Sequence, residues 1–223
     1  MAKSKILKEL ANNEVALDVA LKRLLLICDD LNYNELSSWA EKELNGYLGD
    51  ESVPKYRNVG MGLITYSGIK GSMMSHIKLT NQPFPIQWIP SALMEDVCNN
   101  YERSTIANIV ERAKTTTIYS SDLTFLASAI QVGIAFTSIT QRFDSSAYAE
   151  IVNKLSNILF KIFMKLDREY GNLDELDIDV SGKEKAQIAN FEKQLIVEIG
   201  EINFINIGDG NTIKNSKIGD EQQ

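Results

Sequence analysis

The chain has 223 residues, of which 44% are hydrophobic and 24% charged, with a formal net charge of −7 and a pI of about 4.9. That length holds one large domain, or a domain with an appendage, around a sizeable core, and the composition excludes wholesale disorder. The acidic balance excludes the broad cluster of Lys and Arg that nucleic acid requires, and the acids are too interspersed with lysines for a nucleic-acid mimic.

The first predicted helix runs from about Ser4 to Asp30, with a possible break at Asn12-Asn13. Leu17, Leu21, Leu24, Cys28 and Leu31 alternate steps of four and three, which puts them on one face. A second helix is predicted from Asn34 to Tyr47, with Trp39 and Leu44 facing the core and Gly46 marking its end. The texture then changes, with glycines at 60, 62, 68 and 71 among β-type residues. This predicts two strands, 57–66 and 72–79, joined by a turn near Ser67–Gly71. Pro83, Pro85 and Pro90 make the next stretch an extended connector.

Ser91 is placed to cap a helix reaching Lys114, and a shorter helix is predicted over 121–130. Residues 131–143 read equally as a strand or as a continuation of that helix. The strongest signal is a long amphipathic helix over Ser146–Tyr170. Its stripe is Tyr148, Ile151, Val152, Leu155, Ile158, Leu159, Ile162, Phe163 and Leu166, with Ser145 or Ser146 as N-cap and Gly171 as terminator. Residues 172–182 read as a surface linker and Lys183–Gln194 as a last helix. From Leu195 the tripeptide Ile-Gly-Glu/Asp recurs at 199–201, 207–209 and 218–220, with a hairpin-turn signal at Asp209-Gly210. So small a β segment needs neighbours, from the body or from other copies. The expectation is an α+β fold, a mainly helical body with a small antiparallel β region and a short C-terminal β tail. It divides into 1–171, a linker and short helix over 172–194, and the tail over 195–223.

Catalytic and metal signatures are sparse. His76 is the single histidine, lies in a predicted strand and has no nucleophile motif to serve. The acidic run Asp174, Glu175, Asp177, Asp179 lacks the Ca²⁺-loop pattern. Gly208-Asp-Gly210 lacks the Lys and following helix of a phosphate cradle. No catalytic residue, metal or cofactor is expected. Cys28 and Cys98 form no CxxC pair, Met1-Ala-Lys-Ser-Lys5 opens no signal peptide, and the apolar stretch 126–136 is too short to span a bilayer. A cytoplasmic setting follows.

One segment stands out. Trp39, Glu43, Asn45 and Tyr47 are followed by Pro54, Tyr56 and Arg57. The structural reading is a helix end and a turn, with aromatics in the core and polar groups satisfying backbone. The functional reading is a pocket or recognition surface, in which aromatic faces and a guanidinium suit a nucleotide. Trp39-x-x-x-Glu43-Leu-Asn-Gly-Tyr47 with Pro54-x-Tyr56-Arg57 resembles the signature of the AbiTii domain, a bacterial family associated with abortive infection. Here Lys55 stands where the pattern has an acidic residue. The resemblance implies a role in antiphage defence and carries over no catalytic residue.

These observations lead to a non-enzymatic interaction module that partners another defence or phage protein and associates with itself through the tail, with Ile205, Ile207, Ile213 and Ile218 as contact residues. The alternatives are a toxin enzyme such as a nuclease, using Glu43, Arg57 and His76, and a sensor of a nucleotide or other small ligand using Trp39, Tyr47, Tyr56 and Arg57.

Overall fold

The computed structural model describes residues 3–49, 51–72, 74–115, 119–175, 178 and 184–201. Helix α1 (Lys5–Ala11) stops where Asn13 takes a left-handed φ of +56°, and α2 (Leu17–Leu31) starts afresh, so the break at Asn12-Asn13 is present. The predicted stripe of α2 is buried from Leu17 to Leu31. Helix α3 (Asn34–Asn45) ends at Gly46 as expected, its last helical residue two short of the predicted Tyr47.

The strands lie further along the chain than their residue types indicate. β1 is Leu63–Ser72 and β2 is Ser75–Pro83, while Lys55–Arg57 form a 3-10 turn rather than the start of a strand. The proline connector contains a 3-10 turn at Ile86–Trp88. The single helix predicted over 91–114 is two, α4 (Met94–Cys98) and α5 (Ile106–Lys114), with a loop between them. The helix predicted over 121–130 is replaced by strand β3 (Tyr119–Asp122) and a 3-10 turn at Thr124–Ser128. There the Asp122 carboxylate accepts from the Thr124 N–H at 2.8 Å, an Asx turn that competes with helix. The ambiguous stretch 131–143 resolves as strand β4 (Ile134–Phe143).

The four strands form one antiparallel sheet in the order β2-β1-β4-β3. Both ladders of β1 shift register next to Gly68, where an added Cβ would stand 2.7 Å from the Ala135 carbonyl oxygen. A side chain at that position would force the strands apart.

Helix α6 (Ser145–Tyr170) buries the predicted stripe from Tyr148 to Leu166 except for Val152, which is half-buried, and ends at Gly171. Its N-cap is Asp144 rather than either serine, and the Asp144 carboxylate accepts from the Ser146 N–H at 2.9 Å. Within the predicted surface linker Leu173 and Ile178 are buried. Helix α7 runs Lys185–Glu201, past the predicted end at Gln194. Residues 195–201, assigned by sequence to the β tail, are therefore helical, because Leu195 and Ile199 face the core at helical spacing. The rest of the tail, including Ile205, Ile207, Ile213 and Ile218, lies outside the described residues.

Two apolar cores result. The larger joins α1, α2, α3, α5, α6 and α7, and the smaller joins one side of the sheet, through Ile64, Tyr66 and Ile139, to Phe84, Val97 and Leu126. β4 feeds both, since Ile139 lies in the smaller and Phe143 in the larger. No described helix is long and apolar enough to cross a membrane.

Candidate functional site

Trp39 and Glu43 are four apart on α3, so both point inward from one face. Gly46 ends the helix at φ +86°, where a Cβ would stand 2.8 Å from the Arg103 carbonyl oxygen. That close approach lets the Tyr47 N–H donate to the Arg103 carbonyl at 2.8 Å and turns the Tyr47 ring back under α3. Pro54 opens the 3-10 turn that carries Tyr56 and Arg57 toward the same point, with the Arg57 N–H donating to the Pro54 carbonyl at 3.0 Å.

These side chains meet on one carboxylate. The Tyr47 and Tyr56 hydroxyls each donate to Glu43 Oε1 at 2.6 Å. Arg57 donates from Nη2 to Oε2 at 2.8 Å and from Nε to Oε1 at 3.1 Å. Trp39 Nε1 donates to the Tyr56 hydroxyl at 3.0 Å. The other arm of the guanidinium, Nη1, donates to the carbonyls of Glu102 at 3.0 Å and Ser104 at 2.7 Å. Arg57 also lies over the Tyr47 ring, 4.8 Å from its centroid.

Both charged residues are 0% exposed. Desolvating two charges costs several kcal/mol each, so such a pair persists only when its remaining hydrogen-bonding capacity is filled. Here four donor groups converge on Glu43 and two carbonyls accept from Nη1 of Arg57. Burial alone would pull the Arg57 guanidinium down, and the adjoining carboxylate more than offsets this, holding it above its ordinary value. Burial first and the Glu43 charge second push the Tyr56 and Tyr47 hydroxyls well up, so both stay neutral donors.

Of the predicted site residues, Trp39, Glu43, Tyr47, Tyr56 and Arg57 thus form one buried network, whereas Asn45 is exposed. The aromatic faces and guanidinium needed for a nucleotide are spent on one another. His76 is exposed on β2, opposite Gly71, and does not share the interior of Glu43 and Arg57. The nuclease constellation is not assembled by these three side chains. Among the described residues no three His, Cys, Asp or Glu side chains group as metal ligands. The Cys28 thiol is buried, which pushes its pKa up to about 12 and leaves it unreactive.

Sequence reasoning missed the other half of the network. The loop between α4 and α5 supplies main-chain acceptors, which carry no side-chain signature. Arg103 in that loop donates to the carbonyls of Tyr47 at 3.3 Å and Glu51 at 3.0 Å, holding the turn after α3. Glu102 receives an ion pair from Arg112 on α5.

The AbiTii family model matches residues 4–191, from the start of α1 into α7. No curated protein and no solved structure matches the chain.

Proposed function

The chain belongs to the AbiTii family, associated with abortive infection, and from that premise we propose that it is a non-enzymatic interaction module of a bacterial antiphage system that self-associates through its C-terminal tail. The observation that carries this reading is the closure of the family signature. Glu43, Tyr47, Tyr56 and Arg57 bond to one another at 2.6 to 3.1 Å in the interior, so they serve the fold and leave recognition to the surface. The tail supports self-association by its sequence. Repeated Ile-Gly-Asp segments with a turn at Asp209-Gly210 gain most when identical chains supply the missing strands.

The test is solution mass by light scattering for the full chain and for a chain ending at Glu201. Cutting at Glu201 rather than Gln194 keeps Leu195 and Ile199 in place and so leaves α7 whole. The full chain is expected to be oligomeric and the shortened one monomeric. Equal masses would remove the tail from the proposal.

A further inference from the structure

The whole chain is acidic, but its charge is unevenly distributed. Between Glu51 and Glu95 there is no Asp or Glu, while Lys55, Arg57, Lys70, Lys78 and the single histidine, His76, all fall there. Arg57 is neutralised internally by Glu43. Among the described residues Lys55, Lys70 and Lys78 make no ion pair, and Lys70 and Lys78 lie on the β1–β2 hairpin beside His76. The neighbouring strand β4 also carries no acid. The hairpin is therefore a basic, acid-free projection on a chain of net charge −7.

The outer half of the hairpin stands clear of both cores. β1 is buried from Ile64 to Tyr66 and exposed from Ile69 to Ser72, and nearly all of β2 is exposed. Ile77 is 65% exposed and Met74 fully so, with Ile69 also open. Among the described residues β2 is the terminal strand of the sheet and has nine residues, whereas the opposite edge, β3, has four and ends on Asp122. Short edge strands resist pairing with other chains, and long open ones invite it.

We propose that the open edge of β2 is a docking site for an extended segment of a partner protein that alternates acidic and aliphatic residues, added to the sheet as a fifth strand. This rests on the reading of the chain as an interaction module. Register sets the required pattern. Within β2, His76 and Lys78 occupy one face and Ile77 the other, while in β1 the partner Lys70 shares Ile77's face and Ile69 shares that of Lys78. On Ile77's face Leu79 packs onto the smaller core, so Ile77 extends that apolar surface outward. A strand laid alongside β2 meets Lys78 on one face and Ile77 on the other, with Lys70 one strand further in behind Ile77, a period of two that matches alternating acidic and aliphatic residues.

Charge selects the occupant. Two copies paired edge to edge would bring the lysines of one hairpin toward those of the other, and like charges across a pair are destabilising. An acidic strand turns the same lysines into attraction. Two lysines are too few for appreciable nucleic-acid affinity.

The test is fluorescence anisotropy with the full chain and a labelled peptide alternating aspartate and valine, alongside a lysine–valine control and a version N-methylated at alternate residues. The aspartate peptide is expected to bind, to weaken as salt rises, and to protect the amides of 75–83 from exchange. The Lys70→Glu/Lys78→Glu variant is expected to weaken it by about tenfold or more. The control and the N-methylated peptide are expected to bind at least that much more weakly. The exposed lysines leave folding untouched, which circular dichroism checks. No binding, or binding unaffected by the double variant, overturns the proposal. Equal binding of the N-methylated peptide overturns strand addition. Displacement by a single-stranded oligonucleotide that binds more tightly, or a dimer of the full chain abolished by Ile77→Lys, replaces this occupant with nucleic acid or a second copy. Peptide binding that appears only in the chain ending at Glu201 replaces this occupant with the chain's own tail, whose part in assembly is read separately from solution mass.

Discussion

At the residue scale the chemistry centres on a carboxylate that never meets solvent. Glu43 stabilises the fold only because Arg57, Tyr47 and Tyr56 all complete it, and removing one charge leaves the other buried and uncompensated. Glu43→Ala is expected to lower stability by about 3–5 kcal/mol, read as a shifted urea midpoint. Replacing both charges, as Glu43→Leu with Arg57→Met, removes the stranded guanidinium and is expected to recover part of that loss, though the tyrosine hydroxyls and the carbonyls of Glu102 and Ser104 then lose partners. A cost below about 1 kcal/mol for the single variant would show that the pair is not the structural bolt its geometry describes. The residues of this network were visible in the sequence as a spaced set. Their closure on one another was not, because spacing says nothing about what lies opposite.

At the scale of elements, the segments misread at Tyr56–Arg57 and over 91–114 share one physical cause, a distant partner that overrides local pattern, whereas 121–130 yields to the local Asx turn at Asp122. Tyr56 and Arg57 are of a type that suits a strand, yet Glu43 draws them inward on a 3-10 turn. Residues 91–114 read as one helix, but the carbonyls of Glu102, Arg103 and Ser104 accept from Arg57 and Tyr47 and so cannot serve a helical ladder there. The long stripe of α6 was legible because its partners require only an apolar face. The same dependence on distant groups holds at the start of α3. Its N-cap, Tyr33, offers no side-chain acceptor, and Glu192 of α7 accepts from the Glu35 and Leu36 N–H groups at 2.8 and 3.1 Å instead. Glu192→Ala is expected to cost about 1 kcal/mol, the loss of one helix cap, and Glu192→Gln less, since an amide oxygen still accepts. If both variants match the parent in thermal unfolding, α7 does not cap α3 in solution.

At the scale of the whole molecule, contacts distant in sequence join the start of the chain to the segments that follow α6. Asp167 on α6 accepts from the Ser4 N–H at 3.1 Å, from the Ser4 hydroxyl and from Lys3 at 3.0 Å, while the Leu173 N–H donates to the same Ser4 hydroxyl at 3.0 Å. Burial pushes the Asp167 carboxyl up, and the bonds from Ser4 and Lys3 outweigh it, so its folded pKa lies below the ordinary value of 3.8. A depressed carboxyl contributes stability that is complete above the ordinary aspartate range and disappears as pH falls through the folded value. The clasp should therefore weaken below about pH 4, releasing α1 and the segment at Leu173 from α6. Asp167→Asn keeps the shape but not the charge. It is expected to lose about 1–3 kcal/mol at neutral pH, the worth of a charge-assisted hydrogen bond, and to show a shallower decline of stability in acid. Urea midpoints across an acid series for both proteins read the two effects together. Parallel curves would mean that other carboxylates carry the acid sensitivity, and equal neutral stability would mean that the two ends of the fold hold without this clasp.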